Sequence, residues 1–126
     1  MTAPRILIVD DNAMNVDLVS FLLAADAMQV ESAVDAAQAS ACIAAQQPDL
    51  ILMDIQMPGI DGLELTRRLK SDPATRRIPI VALTAYAMKG DEERMLAAGC
   101  DGYIAKPVEV ASFTRQVRAF LAASSH

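Results

Sequence analysis

Asp49-Leu50-Ile51-Leu52-Met53-Asp54 is an unbroken apolar run bracketed by two aspartates. It is too short for a helix, and it shows none of the alternation that a half-exposed strand needs. A run of this kind reads as a strand buried on both faces, the pattern of a parallel sheet covered by helices above and below. Arg5 to Val9 and Ile78 to Thr84 have the same character, while Met28 to Ala33 and Gly102 to Ala105 are weaker strands that bring the count to five.

Between these runs the apolar spacing changes to that of helices. Asn12 is placed to cap a first helix on which Met14, Leu18, Phe21, Leu22 and Ala25 recur at helical intervals. Asp35 followed three residues later by Gln38 resembles a capping box, and opens a second helix running to about Gln46. A third follows Asp61-Gly62, buries Leu63, Thr66 and Leu69, and stops at Asp72-Pro73. The fourth covers Lys89 to Ala98 and ends at Gly99, and the fifth carries Val110, Phe113, Val117, Phe120 and Leu121 on one stripe. Strand and helix thus alternate five times, which with right-handed crossovers gives an α/β sheet with helices on both faces.

The 126 residues suit one domain, residues 1–126, with no repeat or linker. Hydrophobic residues are 53% of the chain but aromatics only 4%, so the core is built from aliphatic side chains and Met. A net charge of -5, with no basic run clear of acidic neighbours, argues against direct DNA binding. No apolar stretch reaches the roughly 18 to 20 residues needed to cross a bilayer, and Met1 to Arg5 lead directly into a strand, so no membrane association and a cytoplasmic location are expected. Cys42 and Cys100 have neither CxxC spacing nor a nearby His and read as small buried thiols, while His126 falls in a frayed tail.

Ligands of open parallel sheets bind beyond the carboxyl ends of the strands, where strand order reverses. Four strands end there in polar residues: Asp10-Asp11 after the first, Asp54 after the third, Thr84 on the fourth and Lys106 after the fifth. Any one of these is an ordinary turn former or cap. Together they place three carboxylates against one ammonium, an excess of negative charge that a divalent cation would relieve. The donors are hard oxygens without His or Cys, which suits Mg²⁺ and not zinc. Beside such an ion a carboxylate such as Asp54 can act as a nucleophile toward phosphorus, with Lys106 and the Thr84 hydroxyl neutralising the phosphoryl oxygens.

Leu7-Ile8-Val9-Asp10-Asp11-Asn12, Leu52 to Gly62, Leu83-Thr84-Ala85 and Lys106-Pro107, in this order and spacing, resemble the receiver domains of two-component response regulators. The resemblance spans nearly the whole chain. It implies a flavodoxin-like (βα)5 fold with strand order 2-1-3-4-5, and phosphorelay signalling in which Asp54 accepts phosphate from a histidine kinase or phosphotransfer protein. It further implies that Asp11, Asp54 and the Gln56 carbonyl ligate Mg²⁺, with Asp10 acting through water. Thr84 and Lys106 then contact the phosphoryl group, Tyr103 turns with Thr84 as a switch, and Pro107 follows a cis bond. Asn12, Asn15 and the segment Ala87 to Arg94 are similar to stand-alone regulators of the DivK type and to hybrid-kinase receivers.

By the same resemblance the chain is no enzyme beyond Mg²⁺-dependent self-phosphorylation and autodephosphorylation, with Gln56 and Tyr86 tuning phosphate loss. A monomer is expected, signalling through the face made by the fourth helix, fifth strand and fifth helix, with Tyr103 and Met88 in the contact. The nearest alternative is a receiver excised from a hybrid kinase; Met1 just before the first strand and the short tail favour a stand-alone protein. A haloacid-dehalogenase-like phosphatase would need an acid two places after its nucleophile, where Asp54 has Gln56 and Asp10 has Asn12. A flavodoxin-like flavin binder would bring phosphate against Asp10 and Asp11, which repel it.

Overall fold

The computed structural model describes residues 3–55, 62–84, 89–106 and 108–124, with the side chains of 89–92 and 124 excepted. Five strands alternate with five helices: β1 Arg5–Val9, α1 Ala13–Ala25, β2 Gln29–Ala33, α2 Ala36–Ala45, β3 Leu50–Asp54, α3 Gly62–Ser71, β4 Ile80–Thr84, α4 Lys89–Ala98, β5 Gly102–Ala105 and α5 Phe113–Ser124. All pairings are parallel, as the apolar runs led us to expect, and the order is β2-β1-β3-β4-β5, as the family resemblance implied. The order reverses between β1 and β3, so the crossover from β2 leaves a cleft above those two strands.

Alternation along each strand divides the interior into two cores. Ile6, Ile8, Leu50, Leu52, Val81, Leu83 and Ile104 point to the side covered by α1 and α5, where they meet Val19, Leu23, Phe113 and Val117. Leu7, Val9, Ile51, Met53, Ile80 and Ala82 point the other way, against Ala39 and Ile43 of α2, Leu63 and Leu69 of α3 and Met95 of α4. Strands β3 and β4 are buried at every position, which is why their sequences carry no polar alternation.

Strand bounds shift slightly from the sequence reading. β3 begins at Leu50 and includes Asp54, and β4 begins only at Ile80, since Pro79 has no N–H to give. The larger correction concerns α1. Of the residues expected on its core face, Met14 and Phe21 are 83% and 72% exposed and Leu18 is exposed too, while Val19 and Leu23 are fully buried. The helix is apolar almost all the way round, so helical spacing fits two stripes equally well. The choice falls to whichever stripe packs between the sheet and α5. On α5, Val110 likewise lies exposed before the helix starts, and Val108 is buried in its stead.

The caps follow the sequence closely. Asn12 Oδ1 accepts the Met14 and Asn15 N–H groups, and Asp35 Oδ1 accepts that of Gln38 while Gln38 Oε1 returns to Val34 N–H. At its other end α4 closes with paired bonds from Gly99 N–H to the Leu96 carbonyl and from Cys100 N–H to the Met95 carbonyl. Gly99 takes the left-handed conformation this turn requires, at φ +107. α1 ends in the same way, with Ala27 N–H to the Ala24 carbonyl and Met28 N–H to that of Leu23, but here the left-handed position is filled by Ala27 at φ 64.

Candidate functional site

Register builds the mouth of the sheet. Val9 pairs with Met53, so Asp10 and Asp54, each one residue further on, stand side by side at the ends of β1 and β3. Asp54 pairs with Leu83, which carries Thr84 one step beyond, and Thr84 pairs with Ala105, which carries Lys106 one step beyond that. The strand ends therefore form a staircase, and the long Lys106 side chain reaches back across it. Its backbone is anchored by a bond from Lys106 N–H to the Thr84 carbonyl of 2.8 Å.

The charges meet as expected. One carboxylate oxygen from each of Asp10, Asp11 and Asp54 lies within 4.8 Å of the others. Lys106 Nζ is 3.4 Å from Asp54 Oδ2 and 3.5 Å from Asp10 Oδ2, with the lysine side chain only 18% exposed. Asp10 and Thr84 are fully buried and Asp54 nearly so, whereas Asp11 faces solvent. Among the described residues, the desolvated carboxylates of Asp10 and Asp54 share the Lys106 ammonium with the solvent-facing Asp11 beside them, an arrangement that favours a further cation on Coulombic grounds. The donor set is all oxygen, and its fit is to a hard divalent ion such as Mg²⁺.

Helix α3 closes the floor. Gly62, its first residue, approaches the Asp54 backbone so nearly that a Cβ there would fall 2.4 Å from the Asp54 carbonyl oxygen and 2.8 Å from Ile55 Cα. The glycine of Asp61-Gly62 is therefore required by contact with the acidic strand end and does more than start a helix. The site also draws on Asn15, whose amide Nδ2 donates to Asp10 Oδ2, and on the Asn12 N–H, which donates to Asp10 Oδ1 at 2.9 Å. Asn15 carried no chemical role in the sequence reading; its signal was its position five residues after Asp10, one helical turn inside a capped helix.

Tyr103 lies on β5 beside Ala82, half-buried against the core on the α4 side. Gln56, Tyr86, Met88, Pro107 and His126 lie outside the described residues, so the Gln56 carbonyl ligand, the Tyr86 and Met88 roles and the cis bond before Pro107 are not among the structural observations. Cys100 is buried beside Thr66, and burial pushes its thiol up against the lowering effect of that hydroxyl. Cys42 is only half-buried, at the edge of the α2 core, so its reading as a buried thiol is corrected in part.

Comparison with known proteins gives a consistent answer. The family model of the response regulator receiver domain matches residues 6–118. The polar-differentiation response regulator DivK of Brucella anthropi is 42% identical over 116 residues, covering 92% of this chain and 94% of the relative. Among solved structures, the receiver domain of a sensor histidine kinase from Pseudomonas aeruginosa, described with a magnesium ion coordinated in its active-site cleft, superposes with a TM-score of 0.86 at 36% identity over 96% of this chain and 99% of that one. The signal receiver domain of a histidine kinase from Syntrophus aciditrophicus gives a TM-score of 0.88 at 31% identity, over 98% and 94% of the two chains. With its strand order, its acidic switch point and these relatives in agreement, the chain belongs to the receiver-domain family of two-component response regulators, non-enzymatic signalling domains of the phosphorelay.

Proposed function

We propose that this chain is a cytoplasmic, single-domain (1–126) phosphorelay receiver that takes a phosphoryl group on Asp54 and signals through phosphorylation-dependent protein contacts. The observation that carries the reading is the shared ammonium: Lys106 Nζ stands between Asp10 and Asp54, within 3.5 Å of both, with Asp11 open to solvent beside them. Asp11 and Asp54 would hold Mg²⁺ directly, with Asp10 supporting it and the Gln56 carbonyl completing the protein ligands. When bound, the ion would supply charge neutralisation around the phosphoryl oxygens. Asp54 would provide the attacking carboxylate oxygen as the phosphorus–nitrogen bond of the donor phosphohistidine breaks and its imidazole leaves, while Lys106 pairs with a phosphoryl oxygen and the Thr84 hydroxyl donates to another.

The phosphodonor is a histidine kinase or phosphotransfer protein, and transfer from a small acyl phosphate and autodephosphorylation use the same groups. A donor must present its phosphorus over the rim at Asp11, and the exposed apolar stripe of Met14, Leu18 and Phe21 begins there and runs down α1. That stripe suits a helical donor surface with an apolar face. The output contact lies on the α4, β5 and α5 side around Tyr103, which pairs with Ala82 two residues before Thr84 on the neighbouring strand; DNA and membranes are not the targets. Among the described residues no helix is long and apolar enough to cross a membrane.

The test is incubation with Mg²⁺ and acetyl phosphate followed by intact mass. Wild type gains one phosphoryl group, and Asp54→Asn gains none. A label that persists in the variant would move the acceptor elsewhere and overturn the assignment.

A further inference from the structure

The protein engages the Asp10 carboxylate on both of its oxygens. Its Oδ1 accepts the Asn12 N–H at 2.9 Å, its Oδ2 accepts the Asn15 amide, and the same Oδ2 faces Lys106 Nζ. Because Asp10 is fully buried, turning the carboxylate away from these donors would leave a desolvated charge with lost hydrogen bonds.

Asn15 is held in place by the helix cap itself. Its own N–H donates to Asn12 Oδ1 at 3.2 Å, alongside the Met14 N–H at 3.0 Å, so the cap that starts α1 also sets the direction of the Asn15 side chain. The cap is complete without the Asn15 amide, and asparagine is a poor residue for the body of a helix. What the amide adds is its bond to Asp10.

We propose that Asn15 is a positioning residue for the metal site, fixing the Asp10 carboxylate so that Asp10, Asp11 and Asp54 present a preorganised set of oxygens to Mg²⁺. The inference rests on the magnesium reading above. It makes the two asparagines of Asn12-Ala13-Met14-Asn15 work as a pair, in which Asn12 begins the helix and bonds one oxygen of Asp10 through its backbone, and Asn15 bonds the other through its side chain. Groups that orient a metal ligand from behind typically change affinity by roughly 10- to 100-fold when removed.

Two variants test this. Asn15→Ala removes the amide while improving helix propensity, and Asn15→Leu removes the donor while keeping much of the volume. Mg²⁺ binding is measured by titration calorimetry on the unphosphorylated protein, and acetyl phosphate labelling is followed as a function of Mg²⁺. The expected result is about a tenfold weaker Mg²⁺ affinity in both variants, a matching rise in half-saturating Mg²⁺, and an unchanged labelling rate at saturation. Wild-type Mg²⁺ affinity in either variant would overturn the proposal. So would a lowered plateau with unchanged half-saturation, which is the mark of general loosening of the fold. If wild type itself takes up no Mg²⁺, the magnesium reading fails first and the role of Asn15 with it.

Discussion

The two ends of the sheet carry similar residues and use them in opposite ways. At the amino ends of the strands, charges are partnered: the Arg5 guanidinium pairs with Glu31 at 2.8 Å, Asp49 Oδ2 accepts the Arg5 backbone N–H at 2.8 Å, and Asp101 Oδ2 accepts both the Ile80 N–H at 2.8 Å and Lys70 Nζ at 2.9 Å. Lys70 spends its remaining donors on the Arg76 and Ile78 carbonyls, tying the α3–β4 connection to the start of β5. At the carboxyl ends, the carboxylates of Asp10, Asp11 and Asp54 cluster together, and among the described residues the Lys106 ammonium stands 3.4 Å from Asp54 and 3.5 Å from Asp10. Matched charges fasten strands and loops together. Clustered carboxylates favour a cation, so on the function proposed above the carboxyl end is where the fold accepts instability in return for chemistry.

The comparison breaks most sharply at Lys106. Replacing it with Met removes the ammonium that faces both Asp54 and Asp10, and labelling by acetyl phosphate should slow by about 100-fold. A rate close to that of wild type would show that the ammonium is not part of the phosphoryl site. The corresponding change at the other end is Asp101→Ala, which strands the Ile80 N–H and removes the carboxylate partner of Lys70. Urea unfolding should show a loss of about 2 kcal/mol, with Mg²⁺-dependent labelling intact.

Stability without metal provides the test of sign. Asp54→Asn relieves repulsion among the acidic oxygens and should raise the stability of the Mg²⁺-free protein by about 1 kcal/mol, while Asp101→Ala lowers it. Added Mg²⁺ at about ten times its dissociation constant should stabilise wild type by about 1.4 kcal/mol and stabilise Asp54→Asn much less. If both variants destabilise the metal-free protein alike, the two ends are not different in kind. The smallest effect belongs to the helix ends. Ala27 occupies the left-handed position that Gly99 fills without strain, so Ala27→Gly should gain about 0.5 kcal/mol after the entropy cost of glycine, read as a small rise in urea midpoint.

Much of the site was legible along the chain because strands of a covered parallel sheet announce themselves as short apolar runs, and the polar residue that ends each one must stand at the same edge. Asp10, Asp54, Thr84 and Lys106 could be placed together on that ground, and the structure brings Asp10, Asp54 and Lys106 within contact. Strand order came from family resemblance, since periodicity does not say which strand lies beside which. The α1 face was misjudged because Met14, Leu18 and Phe21 repeat at the same interval as the residues that are buried. Gly62 and Asn15 gained their meaning from neighbours distant along the chain or across a turn: the Asp54 backbone for one, the Asp10 carboxylate for the other.

By itself the sequence determined the alternation of strand and helix, the caps at Asn12 and Asp35, and the set of oxygen donors with their one amine, because these follow from local periodicity and from the chemistry of single side chains. Only the tertiary structure decided the register that sets Asp10 beside Asp54, the face on which α1 lies, and the bond by which Asn15 holds Asp10. Such features depend on how separate segments pack against one another, and packing energies have no local signature in the chain.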